Sequence, residues 1–424
     1  MTNPISHSLL PDNSTVDDDG MLAIGGVRVD DLVAEYGTPL FVYDELHIRS
    51  RCQQAVNAFG DGVAYAAKAF LCTAMARIAH EEGMHIDVAT MGEAYVALQA
   101  GVPAESLVFH GNNKSEDELR YAIDNRIGRI VIDSFDEIDR IERILSNTGE
   151  TIQALIRVTP GIQASTHEYV ATGQDDSKFG FTVSTGWAGE AVERVSSSDC
   201  IDLLGIHAHI GSQVFTLESF RRAAEVLADL SNLFQLSELS VGGGLGVAYL
   251  EEEETLDIEE WGQTIKKVCS ESGVTARVTA EPGRAIVASA AVTLYTVGTI
   301  KKLPGIRTYV AVDGGMHDNP RPALYGSGYE TFVPRRVEDP RNFPITLVGK
   351  HCESGDVIVS NGYAPDDLAV GDILATPVTG AYGHSMGSNY NKVLRPAVVF
   401  VNEGSHRLVI RREELSDLIN TDIG

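Results

Sequence analysis

Several short apolar runs in this sequence end in a polar side chain, and the first of them ends in a lysine. The stretch "VAYAAKA" (63–69) places Lys68 at the tip of such a run. A lysine in that position is usually a solvated surface residue, since lysine is almost never fully buried. Later runs end in polar groups as well, namely Asp87, His110, Asp133, Arg157, His209 and Glu281. If the fold gathers an amine, carboxylates and imidazoles in one place, Lys68 is held there to react.

The spacing of the apolar runs predicts the element that would gather these side chains. Between residues 63 and 281 helical patterns separate most of the runs, and "SEDELRYAIDN" (115–125) opens with Ser115, a good N-terminal cap. The eight runs are "VAYAA", "HIDVAT", "LVFHG", "RIVIDS", "QALIRV", "LLGIHAHI", "ELSVGG" and "ARVTAE". Eight strands alternating with helices predict a closed parallel (β/α)8 barrel of the TIM type, and the span of about 220 residues suits that fold. Because the active site of such a barrel forms at the carboxyl ends of its strands, we expect the polar tips to converge there.

The sequence after residue 290 predicts a different kind of domain. Its apolar runs are broken by Gly, Pro and Asp and lack helical periodicity, which is typical of an all-β sandwich or barrel. We predict a (β/α)8 barrel at 42–286 and a β-domain formed by 1–41 together with 287–424. The β-like stretch "MLAIGGVRV" (21–29) is placed in the β-domain. The first twenty residues are polar, and we expect them to be poorly ordered.

The overall charge and the cysteines exclude several classes of partner. The 424 residues carry a formal net charge of −27, which argues against nucleic acid or an anionic membrane as a partner. No apolar run approaches the ~20 residues of a membrane span, and the amino-terminal stretch lacks the features of a secretory signal. The five cysteines are dispersed without CxxC spacing, which suits a reducing cytoplasm and argues against disulfides or a zinc site. We expect a cytoplasmic protein without a bound metal.

Two glycine-containing stretches near the end of the predicted barrel could hold an anion. "SVGGGLG" (240–246) contains three consecutive glycines at 242–244, whose backbone N–H groups could approach an anion without obstruction by a Cβ atom. An ordinary glycine-rich turn has the same composition. Loops after strands seven and eight of such barrels often hold phosphate. "AEPGR" (280–284) would aim Glu281 into the mouth of the barrel and add Arg284 as an anion contact.

The stretch "IHAHIGS" (206–212) supplies two histidines to the same region. His207 and His209 would share one strand face, because side chains alternate along a strand. A core histidine or a paired-histidine metal site would also explain either residue, but no third ligand of fitting spacing is evident. One cofactor accounts for these features together. Pyridoxal phosphate needs a lysine for its aldehyde, a cradle for its phosphate, a flat ring against its pyridine and a carboxylate at the ring nitrogen.

Nine motifs in order resemble a known family. They are "YAAKA", "HGNNKS", "SKFGF", "HAHIGSQ", "GGGLG", "EPGR", "RPALYG", "HCESGD" and "GAYGHSMGSNYN". With them the sequence resembles, nearly from end to end, the fold-type III pyridoxal-phosphate-dependent decarboxylases, and within these the diaminopimelate decarboxylases. The resemblance implies the barrel and β-domain already predicted, with pyridoxal 5'-phosphate as the cofactor.

The resemblance implies roles for individual residues. Lys68 is the Schiff-base lysine, His209 stacks on the pyridine ring, and Glu281 pairs with the ring nitrogen. Cys352 is the proton donor, which suits a thiol because thiols are ordinarily protonated near neutral pH. These four are the implied catalytic residues. The implied cofactor-binding residues are Lys68, Asp87, His209, Ser212, Gly242, Gly243, Gly244, Glu281, Pro282, Gly283, Arg284 and Tyr382. The implied substrate-binding residues are Arg284, Arg321, Tyr325, Glu353 and Tyr382.

The resemblance also implies a reaction and an assembly. The reaction is decarboxylation of meso-2,6-diaminopimelate to L-lysine and CO2, the last step of lysine biosynthesis. Arg321 and Tyr325 suit the distal carboxylate of that substrate, and Glu353 suits its distal ammonium. The family forms homodimers with shared active sites, in which the segment with Cys352 and Glu353 comes from the partner chain.

Other functions within and outside the family predict different residues. Decarboxylases of ornithine, arginine or a polyamine precursor such as carboxynorspermidine bind substrates that present only a cation at the far end. Amino-acid racemases of the same fold place a basic residue against the ring nitrogen, where this sequence has Glu281. A catalytically inactive regulator would have lost the lysine or the phosphate loop, and Lys68 and the three glycines are present.

Overall fold

A computed structural model describes residues 4–162 and 175–424 of the chain. The chain divides into two compact units. The first, called here the strand-rich unit, comprises Met1–Ser50, Val247–Glu254 and Ile286–Gly424. The second, called the barrel unit, comprises Arg51–Gly246 and Thr255–Ala285. Within the described residues no helix has both the length and the apolar character needed to cross a bilayer.

The amino-terminal residues form structure, and the expectation that they are poorly ordered is wrong for residues 4–20. Leu9 and Leu10 are buried although the segment around them is polar. Strands β1 (Ser14–Val16), β2 (Leu22–Ile24) and β3 (Val27–Arg28) form a small antiparallel sheet. Average polarity concealed the apolar residues that anchor this segment. The elements that follow are α1 (Val29–Tyr36), β4 (Leu40–Asp44) and α2 (Glu45–Phe59).

The predicted parallel barrel is confirmed. Its strands pair in parallel from the first to the last and lie where the apolar runs predict them. They are β5 (Ala64–Ala66), β6 (His85–Val88), β7 (Leu107–Phe109), β8 (Arg129–Ile132), β9 (Ile152–Thr159), β11 (Ile201–His207), β12 (Glu238–Ser240) and β13 (Arg277–Thr279), and a short β10 (Phe181–Thr182) pairs with β9. The helices of this region are α3 (Thr73–Glu81), α4 (Met91–Gln99), α5 (Glu116–Asp124), α6 (Phe135–Leu145), α7 (Trp187–Ser196), α8 (Leu217–Phe234), α9 (Ile258–Glu271) and α10 (Arg284–Val287).

Local sequence explains where these elements begin and how the barrel closes. Ser115 caps α5 in a full capping box with Glu118, as its position before an acidic turn predicts. The amide of Ala64 donates to the carbonyl of Ala280 at 2.9 Å, and this hydrogen bond joins the first barrel strand to the residue after the last strand. A second bond of this kind, 3.1 Å long, runs from the Ala66 amide to the Pro282 carbonyl. The loops that carry the polar tips therefore meet at one rim.

The predicted all-β character of the carboxyl-terminal region is confirmed within the strand-rich unit. The strands of this region are β14 (Ala291–Leu303), β15 (Arg307–Val312), β16 (Phe343–Val348), β17 (Val357–Ala364), β18 (Ile373–Pro377), β19 (Ala397–Asn402) and β20 (Ser405–Ile410), and the helix α11 (Arg321–Tyr325) follows β15. The strands pair in the order β17-β16-β15-β14-β4-β19-β20, and β18 pairs with β14. Strand β4 spans residue 42 and pairs with β14 and β19.

Candidate active site

Lys68 lies in a tight turn immediately after the first barrel strand. The turn is a single 3-10 helical turn, Ala67–Ala69, in which Ala67 and Ala69 are buried and Lys68 is exposed. The hydroxyl of Tyr65 donates to the carbonyl of Phe70 at 2.7 Å and holds both ends of the turn together. The apolar residues thus fix the backbone while the side chain of Lys68 stays exposed.

A buried carboxylate, Glu281, lies at the end of the last barrel strand. Its oxygens contact His207 Nε2 at 2.9 Å, Ser240 Oγ at 3.1 Å and His110 Nε2 at 3.3 Å. Burial by itself opposes ionisation of Glu281. The positive charge of His110 and the hydrogen bonds from both histidines outweigh that effect and hold the pKa of Glu281 well below its usual range. Glu281 is therefore an anion in the interior of the barrel unit.

His110 supplies the positive charge that this anion needs. Its Nε2 lies between Glu281 and Asp87, 3.7 Å from Oδ1 of Asp87. Burial lowers the pKa of His110, but the two carboxylates raise it further, and the net shift is upward. The pKa of Asp87 is raised, mainly because the carboxyl is fully buried. His207 behaves differently, because burial lowers its pKa to about 4 and it donates to Glu281 as a neutral ring.

The glycine stretch after β12 brings the backbone close to its neighbours on both sides. A Cβ atom at Gly242 would collide with the Ala208 carbonyl, and one at Gly243 would collide with the Glu281 carbonyl. Gly242 also has a φ of +65°, a region that favours glycine. The amide of Gly243 donates to His209 Nδ1 at 3.3 Å. The glycines therefore let this loop pack between the loops after β11 and β13.

His209 and the pair Arg284–Ser212 complete the site within the barrel unit. Burial, followed by the charges of Lys68 and Arg157, lowers the pKa of His209 well below its usual value, so its ring is neutral. The guanidinium of Arg284 donates to Ser212 Oγ at 2.8 Å and is 8% exposed. A fixed cation beside a hydroxyl and a glycine loop is a suitable arrangement for a phosphate.

The chemical types of these groups, and their location at one rim of the barrel, fit pyridoxal phosphate. An accessible amine suits its aldehyde, a neutral imidazole its ring, an ionised carboxylate its ring nitrogen, and the cation with the glycine loop its phosphate. The two histidines of "IHAHIGS" have different partners. His207 contacts Glu281, and His209 contacts Gly243. The ligand atoms of His110, His207 and Glu281 lie within 4.8 Å of one another, but they already hydrogen-bond or ion-pair among themselves.

Sequence reasoning assigned no role to several charged residues that support this site. Lys114 Nζ contacts Glu137 Oε1 at 2.7 Å in a fully buried ion pair, and Glu137 also accepts the Asp133 amide at 2.9 Å. Arg157, 3.9 Å from Asp133, stacks over a phenylalanine ring. Lys114 and His110 fall within the motif "HGNNKS", so their place in the family pattern was the available signal.

The predicted residues Arg321, Tyr325, Cys352, Glu353 and Tyr382 lie in the strand-rich unit, and Gly244, Pro282 and Gly283 lie in the barrel unit. Arg321, the first residue of α11, is 5% exposed and donates to the hydroxyl of Tyr329 at 2.5 Å. Its guanidinium also lies 4.2 Å from the centre of the Tyr249 ring. Burial lowers the pKa of Arg321, but the surrounding tyrosines, including Tyr382, raise it above its usual range. Tyr325 ends the same helix and is half-buried.

Cys352 and Glu353 follow β16 in an exposed loop. Both side chains are exposed in the single chain. Asp356 holds the loop in place, because its carboxylate accepts hydrogen bonds from the amides of His351 at 2.8 Å and Met316 at 2.7 Å. The hydroxyl of Tyr390 donates to Glu353 Oε1.

Comparison with known proteins assigns the chain to a family. Residues 45–288 match the family described as "Pyridoxal-dependent decarboxylase, pyridoxal binding domain". The diaminopimelate decarboxylase of Mycobacterium tuberculosis is 44% identical over 440 aligned residues, covering 99% of this chain and 98% of the relative. That of Bacillus subtilis is 45% identical over 420 residues, covering 95% of each. The chain belongs to the pyridoxal-dependent decarboxylase family. Within it, these two near full-length relatives are diaminopimelate decarboxylases.

Solved structures of the family confirm the fold. Diaminopimelate decarboxylase from M. jannaschii in complex with L-lysine superposes with a TM-score of 0.90 at 30% identity, covering 97% of this chain and 98% of that one. The Helicobacter pylori enzyme with L-lysine has a TM-score of 0.85 at 31% identity. A lysine/ornithine decarboxylase of Vibrio vulnificus, at 23% identity and a TM-score of 0.76, shares the fold. The predicted family, fold and pyridoxal cofactor are thus confirmed, whereas the roles of individual residues stay predictions.

Proposed function

We propose that this protein decarboxylates meso-2,6-diaminopimelate to L-lysine and CO2 with pyridoxal phosphate as its cofactor. The observation that carries the proposal is 44% identity to a named diaminopimelate decarboxylase over 99% of the chain. The ionised Glu281, buried among His110, His207 and Ser240, supports it on physical grounds. A carboxylate at this point favours decarboxylation over racemisation, for which a basic residue is expected.

Residues of the barrel unit would hold the cofactor. Lys68 would bind its aldehyde, the His209 ring would lie against its pyridine ring, and Glu281 would face the ring nitrogen. When bound, pyridoxal phosphate supplies an electron sink for the negative charge that remains on the substrate carbon as CO2 leaves. The other cofactor contacts are proposed to be Asp87, Ser212, Gly242, Gly243, Gly244, Pro282, Gly283, Arg284 and Tyr382.

Glu281 and its histidines would keep a proton where the reaction needs it. An anion beside a ring nitrogen favours the protonated form of that nitrogen. His110, positively charged between Asp87 and Glu281, keeps the carboxylate ionised together with the hydrogen bond from His207. His207 donates its Nε2 proton to Glu281 and so orients the carboxylate.

Residues of the strand-rich unit would select the substrate. Arg321 and Tyr325 are proposed to bind the distal carboxylate, and Glu353 the distal ammonium, with Arg284 and Tyr382 as further contacts. Cys352 would return a proton to the substrate carbon after CO2 has left. Arg321 suits a carboxylate because its guanidinium is buried, charged and oriented by Tyr329.

The assembly and location are also proposals. We propose a homodimer in which Cys352 and Glu353 serve the partner's site, with a barrel domain at 42–286 for the cofactor and a β-domain at 1–41 and 287–424 for substrate and dimer contacts. The exposure of Cys352 and Glu353 in the single chain supports this arrangement. We propose a cytoplasmic location, which the odd number and dispersed spacing of the cysteines in the sequence support.

The test is formation of L-lysine and CO2 by the purified protein loaded with pyridoxal phosphate. Ornithine, arginine and carboxynorspermidine are assayed in parallel, because a decarboxylase of a polyamine precursor would prefer one of them. We expect meso-diaminopimelate to be preferred by at least two orders of magnitude in kcat/KM. Faster turnover of any of the other three would refute the proposed substrate.

A further inference from the structure

Two residues of the motif "GAYGHSMGSNYN" have no part in the proposed function, although both contact the loop with Cys352 and Glu353. The hydroxyl of Tyr390 donates to Glu353 Oε1. The side-chain amide nitrogen of Asn391 lies 3.2 Å from Nδ1 of His351, the residue immediately before Cys352. The motif therefore contacts this loop on both sides of the cysteine.

The contact of Asn391 fixes the direction of a chain of hydrogen bonds. An amide nitrogen can only donate, so Nδ1 of a neutral His351 accepts and its proton resides on Nε2. That Nε2 lies 2.9 Å from Nδ1 of His317, which then accepts, so the proton of His317 resides on Nε2. This second Nε2 lies 3.4 Å from Oδ2 of Asp318. Donation thus runs in one direction, from Asn391 through His351 to His317, whose Nε2 faces the Asp318 carboxyl at contact distance without a hydrogen bond.

The far end of this chain is rigid. His317 and Asp318 are completely buried, and Asp318 accepts the hydroxyl of Tyr295 at 2.6 Å and the amide of Gly315 at 2.9 Å. Burial is the main cause that lowers the pKa of His317 to about 4. His317 is therefore neutral at physiological pH, as the direction of the hydrogen bonds requires.

Ring contacts reinforce the polar ones. The rings of His317 and His351 meet edge to face, with their centres 4.9 Å apart. The ring of Tyr390 also packs against His351, with the ring centres 5.2 Å apart. A continuous path of contacts therefore leads from the buried Asp318 to the exposed carboxylate of Glu353.

We propose that His317, His351, Tyr390 and Asn391 form a clamp that fixes the Cys352–Glu353 loop and orients the Glu353 carboxylate toward the substrate's distal ammonium. The inference rests on the proposed function, since it concerns the role proposed there for Glu353. An exposed glutamate has considerable rotamer freedom, and a hydrogen bond from Tyr390 removes part of it before substrate binds. Tyr390 and His317 are thus positioning residues.

The first test removes the hydroxyl of Tyr390 and keeps its ring. Because Glu353 would bind substrate and product equally, Tyr390→Phe should raise KM for meso-diaminopimelate about fivefold with kcat changed less than twofold. The affinity of the holoenzyme for L-lysine, measured by calorimetry, should fall by the same factor. Tyr363→Phe removes the same group from β17 and serves as the control.

The second test separates the clamp from general stability. His317→Gln retains a side-chain oxygen that can accept from His351, whereas His317→Leu cannot accept. We expect His317→Leu to weaken L-lysine binding about tenfold and His317→Gln to recover most of that loss, with the visible absorbance of the bound cofactor unchanged in both.

The outcomes distinguish the clamp from the function on which it rests. A wild-type protein that neither forms nor binds L-lysine overturns the proposed function. An active wild type together with a Tyr390→Phe variant that matches Tyr363→Phe overturns the clamp. The clamp is also overturned if His317→Gln and His317→Leu weaken L-lysine binding equally and both lower the thermal stability. That result would show that His317 only fills space.

Discussion

Glu281 and His207 are joined by a 2.9 Å hydrogen bond in the interior of the barrel unit, where both side chains are almost completely buried. His207 stays neutral there, so the charge that balances Glu281 comes from His110. The anion is in place within the chain itself, before any ligand binds. Such preorganisation is the form in which electrostatics contributes most to catalysis.

Replacement of Glu281 by glutamine should separate turnover from cofactor binding. Glu281→Gln keeps an oxygen for His207 but removes the negative charge, so a ring nitrogen beside it loses its protonation. We expect kcat to fall by at least two orders of magnitude while the visible absorbance still reports bound cofactor. Glu271→Gln, on the exposed face of α9, is the control. Unchanged turnover would mean that Glu281 has only a structural role.

Lys68 should be the point of covalent attachment. Borohydride treatment of the holoenzyme should add the mass of the reduced cofactor to the peptide containing Lys68, as measured by mass spectrometry. Lys68→Ala should lose that adduct and essentially all turnover while it keeps the fold, because the side chain is exposed at the turn. Lys266→Ala on α9 is the matched control. An adduct that persists in Lys68→Ala would contradict the assignment.

A methyl group at Gly243 should disrupt the phosphate site. Because a Cβ atom there meets the carbonyl of Glu281, Gly243→Ala must displace one of the two loops. We expect at least a tenfold weaker affinity for pyridoxal phosphate, measured by titration of the apoprotein, and a loss of about 1–3 kcal/mol in stability. Gly298→Ala, at an exposed position of β14, should change neither. Equal affinity in both variants would exclude a role for this loop in phosphate binding.

Acid should destabilise the protein partly through His384. Burial, together with Arg395, lowers the pKa of His384 to about 3, below the ~6.5 of an unfolded histidine. The unfolded chain then binds more protons, so the stabilisation is complete above pH 6.5 and is lost as pH falls toward 3. Relative to His384→Gln, the wild type should lose about 1.4 kcal/mol per pH unit between pH 6 and 4. Urea unfolding at several pH values measures this, and parallel curves would contradict it.

A shared active site should allow two inactive variants to complement each other. Lys68→Ala and Cys352→Ala would damage different halves of each site, so a heterodimer contains one intact site and one doubly defective site. After mild dissociation and mixing, activity should return to about a quarter of wild type for random pairing. If a tagged-subunit pulldown demonstrates exchange and activity stays absent, both residues act within one chain.

The barrel could be predicted because its strands have an unusually clear pattern. Ala64–Ala66 and Leu107–Phe109 are buried along their whole length, as parallel strands covered on both faces require, and each run changes abruptly to polar residues at its carboxyl end. The helices between these strands could be predicted from capping residues such as Ser115. The all-β class of the strand-rich unit could be predicted because its apolar runs are broken by Gly and Pro.

The polar network could not be predicted, since it depends on proximity between distant parts of the chain. His110, His207 and Glu281 end three different strands, and nothing in their local sequence tells which of two histidines, His207 or His209, reaches the carboxylate. The same limit applies to His317 and His351 in the strand-rich unit. Family motifs mark such residues without revealing their partners.

The hydrogen bond from the Ala66 amide to the Pro282 carbonyl links the turn of Lys68 directly to the loop of Glu281. These two segments lie at opposite ends of the barrel sequence, so their contact forms only when the last strand has joined the first. Contacts of such large sequence separation tend to form slowly during folding. If Lys68 and Glu281 hold the cofactor as proposed, its binding is a late event in the maturation of the chain, and we expect a barrel that lacks its last strand not to retain pyridoxal phosphate.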